Sequence, residues 1–260
     1  NEIKRKTLEL GFYACNFPEE VGGAGLSHLD FALVERELGR GSMALNHFFG
    51  RPQNILMACE GEQRARYLLP AVRGERMDAL AMTEPEAGSD VRGMKCTAVR
   101  SGGDWLVNGT KHFISGADHA DFVIVFIATG EDDTPRGPKK RLTAFLVDRG
   151  TPGFVIRDGY RSVSHRGYKN CILDFDDCRL ADAQVLGEVD GGFEVMTLPV
   201  IQLAETKAIQ WVDIELIKGK NILIVDEVDD TRKTLGYLIE NFKNHVKKLG
   251  VFVVNNKNKE

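Results

Sequence analysis

The sequence predicts an α+β protein with a helical N-terminal segment, an antiparallel β-barrel-like middle domain and a final βαβ fragment of an α/β fold. Three observations lead to this fold class. Apolar residues recur at helical spacing early in the chain, short apolar runs alternate with turn residues from Met77, and two late apolar runs flank a helical pattern. We therefore expect three parts, at residues 1–76, 77–196 and 205–260.

The first part is predicted to be mainly helical. Phe31, Val34 and Leu38 lie at helical spacing within residues 29–38. A second helix is expected from Glu62 to Leu69. It should end at Pro70, because proline lacks the amide hydrogen that a helix interior needs.

The second part is predicted to be a succession of strands. Its short apolar runs are residues 80–83, 96–99, 105–107, 112–115, 122–128, 142–147 and 171–175. Asn108 and Gly109 lie between two of these runs, and this dipeptide favours a two-residue hairpin turn because both residues readily adopt positive φ. We therefore expect a hairpin centred on Asn108-Gly109.

Composition narrows the partners that this chain can have. A net charge of −4 and a pI near 5.9 argue against nucleic acid. No apolar run approaches the roughly 20 residues that span a bilayer, and residues 1–7 are charged, unlike a signal peptide. We expect a cytoplasmic protein with no membrane partner.

The five cysteines form no CxxC pair, which predicts reduced, mostly buried thiols.

The densest chemistry lies in residues 81–90, where an apolar run leads into a turn that contains Pro85 and Gly88. Backbone amides in such a turn can form an anion-binding nest, and Gly88 permits close approach of a ligand. The hydroxyls of Thr83 and Ser89 can donate hydrogen bonds to phosphate or to flavin ring atoms. An ordinary loop uses the same residue types, so the turn alone leaves its role open.

Three longer stretches resemble the signature of acyl-CoA dehydrogenases. They are residues 82–90, residues 105–115 and Ala120-Asp121, at the spacing typical of that family. Residues 18–26 upstream, and Arg166-Gly167, residues 173–175 and Leu186-Gly187 downstream, extend the resemblance over about residues 9–196.

The resemblance implies a flavoprotein that binds FAD and acyl-CoA. The residues implied for cofactor binding are Met82, Thr83, Gly88, Ser89, Phe113 and Ser115. Met82, Thr83, Phe113 and Ser115 would contact the flavin ring, and Ser89 would lie where the flavin phosphate and acyl-CoA approach each other. From the residues alone, Phe113 is equally well explained as part of the barrel core.

In the family, a carboxylate on a C-terminal helical domain takes the proton next to the thioester while the flavin takes the hydride. Residues after 196 do not resemble that domain, which also carries much of the family's dimer interface. Glu84 and Glu86 lie on the flavin side, where we expect solvated or turn-stabilising carboxylates. The prediction is therefore weak binding of FAD and acyl-CoA without complete catalysis.

Basic residues change identity near the end of the chain. Residues 1–204 contain 17 Arg and 7 Lys, whereas residues 205–260 contain 1 Arg and 9 Lys. Folding physics does not impose such a switch, because Arg and Lys are electrostatically similar on a surface. Either two sources are joined between about Met196 and Glu205, or a natural chain carries a biased C-terminal module.

The sequence of the third part predicts a strand, an acidic loop and a helix, followed by a second strand parallel to the first. The strands are expected at residues 221–225 and 251–254, the loop at residues 226–230, and the helix from Thr231. Ligands of such units bind at the carboxyl end of the strand and at the N-terminus of the helix.

Residues 219–235 resemble the signature of purine phosphoribosyltransferases. The resemblance implies that Asp226 and Glu227 hold ribose and Mg²⁺ and that Asp230 accepts a proton near the purine. It also implies that the 5′-phosphate of a nucleotide-type partner is bound by Thr231, Arg232, Lys233 and Thr234. The alternatives are an ATPase Walker B strand, the first strand of a receiver domain and a solvated acidic helix cap. A further alternative for the whole chain is an engineered or stitched composite without function.

Overall fold

The computed structural model describes residues 1–135, 137–163, 166–167, 169–196, 218–219, 221–229, 239–240 and 242–256. The chain divides into two compact units, Asn1–Pro199 and Val200–Glu260. Of the helices in these described ranges, none has the length and apolar character needed to cross a membrane.

The first unit opens with short helices. They are α1 (Glu2–Glu9), α2 (His28–Leu38), α3 (Met43–Asn46) and α4 (Leu69–Val72). Helix α2 confirms the predicted helix, and Ser27 caps its N-terminus, since the Ser27 side chain accepts the Asp30 amide at 3.2 Å. A π-helical turn, Arg64–Leu68, runs directly into α4. The expected end at Pro70 is therefore wrong, because proline is tolerated in the first turn of a helix.

Eight strands follow in the first unit. They are β1 (Asp78–Ala81), β2 (Thr97–Ser101), β3 (Asp104–Ser115), β4 (Phe122–Asp132), β5 (Lys139–Asp148), β6 (Phe154–Arg161), β7 (Lys169–Leu180) and β8 (Val185–Leu186). Each predicted apolar run overlaps one of them. Strands β6 and β8 were not predicted, because β6 is mostly exposed and β8 has two residues.

The strands form one sheet in the order β6-β7-β3-β2-β4-β5-β8, with β1 paired to β4. Most neighbours are antiparallel, but β4 pairs in parallel with both β1 and β2. The expectation of an antiparallel middle domain is therefore wrong for this part of the sheet. Strand β3 runs antiparallel to β2 and lies between β2 and β4 along the chain, so β4 returns in the direction of β2. The apolar runs by themselves do not encode this direction.

Strand β4 is buried on both faces and separates two apolar cores. Phe122, Ile124 and Phe126 pack in a first core with residues of the helical segment, such as Tyr67. The intervening residues, including Val125, pack in a second core between strands. Burial on both faces explains why this strand reads as an unbroken apolar run.

The second core lies where the sheet curls on itself. Trp105 of β3 packs edge-on against Phe145 of β5, with ring centroids 5.7 Å apart, although these strands are not neighbours in the sheet. This packing agrees with the barrel-like part of the prediction. Cysteines contribute to both cores, and all five are buried free thiols, as expected.

The predicted hairpin at Asn108-Gly109 is wrong. Strand β3 runs through both residues, and the tight turn lies earlier, where Ser101 pairs with Asp104 across Gly102 and Gly103. Those two glycines have φ of 63° and 94°, as a two-residue hairpin turn requires. Gly109 instead lies at an irregularity in the pairing with β7, where its φ is 136°.

Two strands are described in the second unit, β9 (Asn221–Asp229) and β10 (Lys248–Asn256). They pair in parallel, which confirms the predicted parallel pair. The expected loop from Asp226 is wrong, because β9 continues through the acidic residues while β10 supplies partners as far as Asn256 opposite Asp229. Pairing between strands outweighs the low strand propensity of aspartate.

Candidate flavin site

A buried ion pair holds the loop that follows β1. Lys111 of β3 places its Nζ 2.7 Å from Oε1 of Glu84, and the two side chains are 0% and 1% exposed. The Glu84 carboxylate also accepts the backbone amides of Lys95 at 2.5 Å and Cys96 at 3.2 Å. A buried carboxylate needs this many donors to offset its lost hydration. The pair therefore fixes the loop onto the sheet.

The surroundings of Glu84 determine its charge. Burial by itself raises the pKa of this carboxyl, but the attraction of Lys111 and the hydrogen bonds that Glu84 accepts outweigh burial and leave the pKa below its usual value. Glu84 is thus a buried carboxylate that stabilises the turn. Of the two expected roles, solvated or turn-stabilising, Glu84 has the second, whereas Glu86 is exposed.

Backbone contacts join this loop to the end of β3. The His112 amide donates to the Thr83 carbonyl at 2.8 Å, and Lys111 Nζ donates to the Met82 carbonyl at 3.1 Å. Met82 is half-buried and packs against the first core. Two of the predicted flavin contacts, Met82 and Thr83, are in this way brought beside the segment that carries a third, Phe113.

Gly88 and Ser89 lie on the exposed part of the same loop. Ala87, just before them, is 4% exposed and belongs to the first core, so the loop is anchored at that point. A Cβ atom added to Gly88 would meet no heavy atom within 4 Å. The open space beside Gly88 leaves room for a ligand to approach the backbone.

Phe113 is a strained, exposed aromatic residue. Its φ is 57°, which is rare for a bulky side chain, and it lies at a register shift between β3 and β7. Its side chain is 53% exposed and stacks on Tyr160, with ring centroids 4.3 Å apart. Tyr160 is held in turn by a 2.7 Å hydrogen bond between its hydroxyl and His112 Nδ1. The alternative that Phe113 belongs to the barrel core is wrong.

Ser115, at the end of β3, donates a hydrogen bond to Asn170 Oδ1 at 3.1 Å and borders a cavity of about 340 Å³. The cavity lies between β1, β3 and the loops of the helical segment. Much of its lining consists of side chains that form hydrogen bonds without carrying a charge: Tyr13, Asn16, Asn46, Gln53, Asn54 and Ser115.

Three titratable groups in this cavity are shifted by burial. Burial raises the pKa of Asp78 to about 6, even though its carboxylate accepts the Gln53 amide at 3.1 Å. Burial and the nearby charge of Asp78 raise the pKa of Tyr13 to about 12. Burial, and then repulsion from His119, lower the pKa of His47. All three shifts favour the neutral form of the group.

Sequence reasoning missed Lys111, Tyr160 and the cavity. One signal for Lys111 was available, because it occupies a position in an alternating strand whose neighbours two residues away are not charged. Tyr160 gave no signal, since β6 was not predicted. The cavity joins residues from distant parts of the chain, which no local pattern reveals.

The predicted ligand residues of the second unit are only partly described. Asp226 and Glu227 lie within β9, and only their backbone is described. Asp230, Thr231, Arg232, Lys233 and Thr234 lie outside the described residues. Among the residues that are described, no group of three or more His, Cys, Asp or Glu is arranged to hold a metal ion.

Two family models match the first unit. The acyl-CoA dehydrogenase N-terminal domain matches residues 1–75, and the acyl-CoA dehydrogenase middle domain matches residues 79–178. The chain is 36% identical over 201 residues to a mitochondrial isovaleryl-CoA dehydrogenase of Pongo abelii, covering 75% of this chain and 47% of that protein. It is 34% identical to the benzylmalonyl-CoA dehydrogenase of Aromatoleum aromaticum, covering 73% and 50%.

Solved structures give the same result. An acyl-CoA dehydrogenase from Geobacillus kaustophilus superimposes with a TM-score of 0.64 at 30% identity, covering 75% of this chain and 52% of that one. A glutaryl-coenzyme A dehydrogenase in its glutaryl-CoA complex superimposes with a TM-score of 0.62 at 30% identity, covering 74% and 49%. The chain thus spans about half the length of these relatives. The comparisons give no support for a phosphoribosyltransferase part, a nucleotide partner, Mg²⁺ or a chimeric origin.

Proposed function

Residues 1–75 and 79–178 are the N-terminal and middle domains of an acyl-CoA dehydrogenase, and from that premise we propose that this region binds FAD beside an acyl-CoA thioester. The observation that carries the proposal is the hydrogen bond from the His112 amide to the Thr83 carbonyl. It joins the loop and the end of β3, the two segments implied to contact the flavin.

The residues present fit a flavin. An exposed aromatic ring at Phe113 offers a stacking surface. Its positive φ is energetically unfavourable, and a functional contact would account for this strain. The exposed hydroxyl of Ser89 and the open space beside Gly88 suit a phosphate. Met82, Thr83 and Ser115 would lie along the ring.

Bound FAD supplies the hydride acceptor for oxidation of the acyl group. The chain's own residues orient the two reactants. Glu84 does not serve as the base that takes the substrate proton, because Lys111 and two backbone amides already occupy its carboxylate and keep it ionised within the fold. Its role in this proposal is to hold the loop in place.

The test is the visible absorption spectrum of the purified protein after incubation with FAD and removal of free cofactor. The proposal expects a yellow protein, and weaker FAD binding by about tenfold or more in Phe113→Ala, since stacking on an aromatic side chain contributes about 1–3 kcal/mol. Val155→Ala is the matched control, because Val155 is 54% exposed and does not belong to the site. A protein that stays colourless would refute the proposal.

A second candidate function concerns residues 205–260. The parallel pairing of β9 with β10 favours it, because phosphoribosyl diphosphate would bind at the end of a parallel strand. Calorimetry with phosphoribosyl diphosphate and Mg²⁺ is the test. Heat of binding that disappears in Asp226→Asn would support this function, and an absence of heat would remove it.

A further inference from the structure

Two irregularities in the sheet lie on opposite sides of β7, at nearly the same point along it. On the β3 side, His112 and Phe113 together oppose the single residue Ile172 of β7. On the β6 side, the two residues that precede Tyr160 likewise oppose one residue of β7. An extra residue of this kind bends its strand and redirects the neighbouring side chains. The sheet therefore departs from regular pairing where it brings Phe113 and Tyr160 together.

The irregularity in β3 explains why two adjacent rings contact Tyr160. Lys111 and Ile114, which flank it, are both buried, although residues three apart in a regular strand face opposite sides of the sheet. The extra residue removes this alternation and leaves His112 and Phe113 together on the outer face. The ring centroid of Tyr160 lies 5.7 Å from that of His112 and 4.3 Å from that of Phe113.

Tyr160 covers one side of the Phe113 ring and is itself held in place. The two rings are nearly parallel, with an angle of 18° between their planes. The hydroxyl of Tyr160 is hydrogen-bonded to His112 Nδ1 at 2.7 Å, and the His112 amide donates to the Thr83 carbonyl at 2.8 Å. Tyr160 is thus connected to the loop that would contact the flavin. Phe113 remains 53% exposed, so the rest of its ring is open to a planar ligand.

A polar bridge holds the three strands together beside this aromatic pair. Asp174 of β7 accepts Thr110 Oγ1 of β3 at 2.9 Å and Arg157 Nη2 of β6 at 3.1 Å. Arg157 also pairs with Asp174 through its Nε. The bridge fixes β6 relative to β3, so Tyr160 presents its ring to Phe113 in one arrangement.

We propose that Tyr160 is a positioning residue, which holds the ring of Phe113 in the orientation that stacks on the flavin. The inference rests on the proposed function, because it needs FAD beside Phe113. Phe113 needs such support, since its φ of 57° is unfavourable for a bulky side chain. A ring that is already held in place loses less conformational freedom when the ligand binds.

The experiment is a titration of the flavin-free protein with FAD, followed by the fluorescence of the flavin. Tyr160→Leu removes the stacked ring and should weaken FAD binding by about three- to tenfold, as expected when one side chain must be ordered on binding. Tyr160→Phe keeps the ring and loses only the hydroxyl, so it should recover most of the affinity. Val155→Ala is the control on the same strand, because Val155 is also exposed and should leave the affinity unchanged.

A double variant shows whether Tyr160 acts through Phe113. When Phe113 is already replaced in Phe113→Ala, adding Tyr160→Leu should change the dissociation constant of FAD by less than about twofold. A purely structural role for Tyr160 would instead weaken binding by the same factor in both backgrounds. Melting temperatures of all variants show whether each one is folded under the conditions of the titration.

The outcomes separate the inference from the function beneath it. FAD binding that Tyr160→Leu leaves unchanged, or weakens equally with and without Phe113, overturns the inference and leaves the proposed function standing. Tighter binding by Tyr160→Leu also overturns it, because Tyr160 would then cover the surface that the flavin needs. A wild-type protein that does not bind FAD overturns both.

Discussion

Replacing Lys111 with methionine is expected to lower the free energy of unfolding of the first unit by about 3–5 kcal/mol, because breaking a buried ion pair leaves its other charge uncompensated. Methionine fills much of the space of the lysine stem, so the loss is mainly electrostatic. Glu84 would keep only the amides of Lys95 and Cys96 as donors. With a urea dependence of about 2 kcal/mol per M, the unfolding midpoint should fall by roughly 2 M.

The measurement is urea unfolding at neutral pH, followed by circular dichroism, on a double-mutant cycle. Glu84→Gln should lower the free energy of unfolding by a similar amount, because the buried Lys111 charge would then have only neutral acceptors: the Met82 carbonyl, the Met94 sulfur and the amide oxygen of the new side chain. The double variant should cost less than the sum of the single variants by about 1–3 kcal/mol, since neither partner then leaves a buried charge.

A matched control isolates the effect of burial. Lys169 forms an ion pair with Asp158 at 3.0 Å, but the side chains are 53% and 82% exposed. Lys169→Met should therefore change the free energy of unfolding by less than about 1 kcal/mol. If Lys111→Met costs no more than Lys169→Met, or if the two single variants simply add, the reasoning about the buried pair is refuted.

Two further predictions concern a titrating carboxyl and a glycine. In the folded protein the pKa of Asp78 is raised from 3.8 to about 6. The wild type should therefore lose stability as the pH rises from about 4 through 6, whereas Asp78→Asn should not show this loss. Thermal unfolding should show the variant gaining about 1–3 kcal/mol on the wild type between about pH 4 and pH 7.5, and parallel pH profiles would contradict this. At Gly109, with φ of 136°, an added Cβ would lie 2.5 Å from Cys96 Sγ, so Gly109→Ala should cost about 2–5 kcal/mol in urea unfolding. Gly103→Ala, at φ 94° with nothing within 4 Å, should cost only about 1–2 kcal/mol, and an equal cost at both sites would argue against the close contact.

Local patterns were sufficient where a single element decides its own structure. The helical spacing in residues 29–38 predicted α2, and the apolar run at residues 122–128 predicted β4. The loop with Thr83 and the segment with Phe113 were both predicted to face a flavin, and the His112 amide joins them. These features follow from residues that are close together in the chain or from a resemblance of whole motifs.

Long-range pairing decided the rest. Asn108-Gly109 has the composition of a hairpin turn, yet β7 pairs across it and keeps the strand extended, while the turn forms at Gly102-Gly103. The acidic residues after Val225 read as a loop, yet β10 pairs with them. In both cases hydrogen bonds to a distant strand outweigh a local preference of about 1 kcal/mol or less.

The sequence by itself determined the fold class of the first unit, and it predicted which segments would face a flavin. Only the tertiary structure decided that Phe113 is exposed and strained, that Lys111 neutralises Glu84, and that Ser115 borders a polar cavity. Each of these depends on side chains brought together from distant parts of the chain. Their energetic effects arise only after packing, because the low dielectric of the folded interior strengthens an ion pair and makes an unpaired polar atom costly.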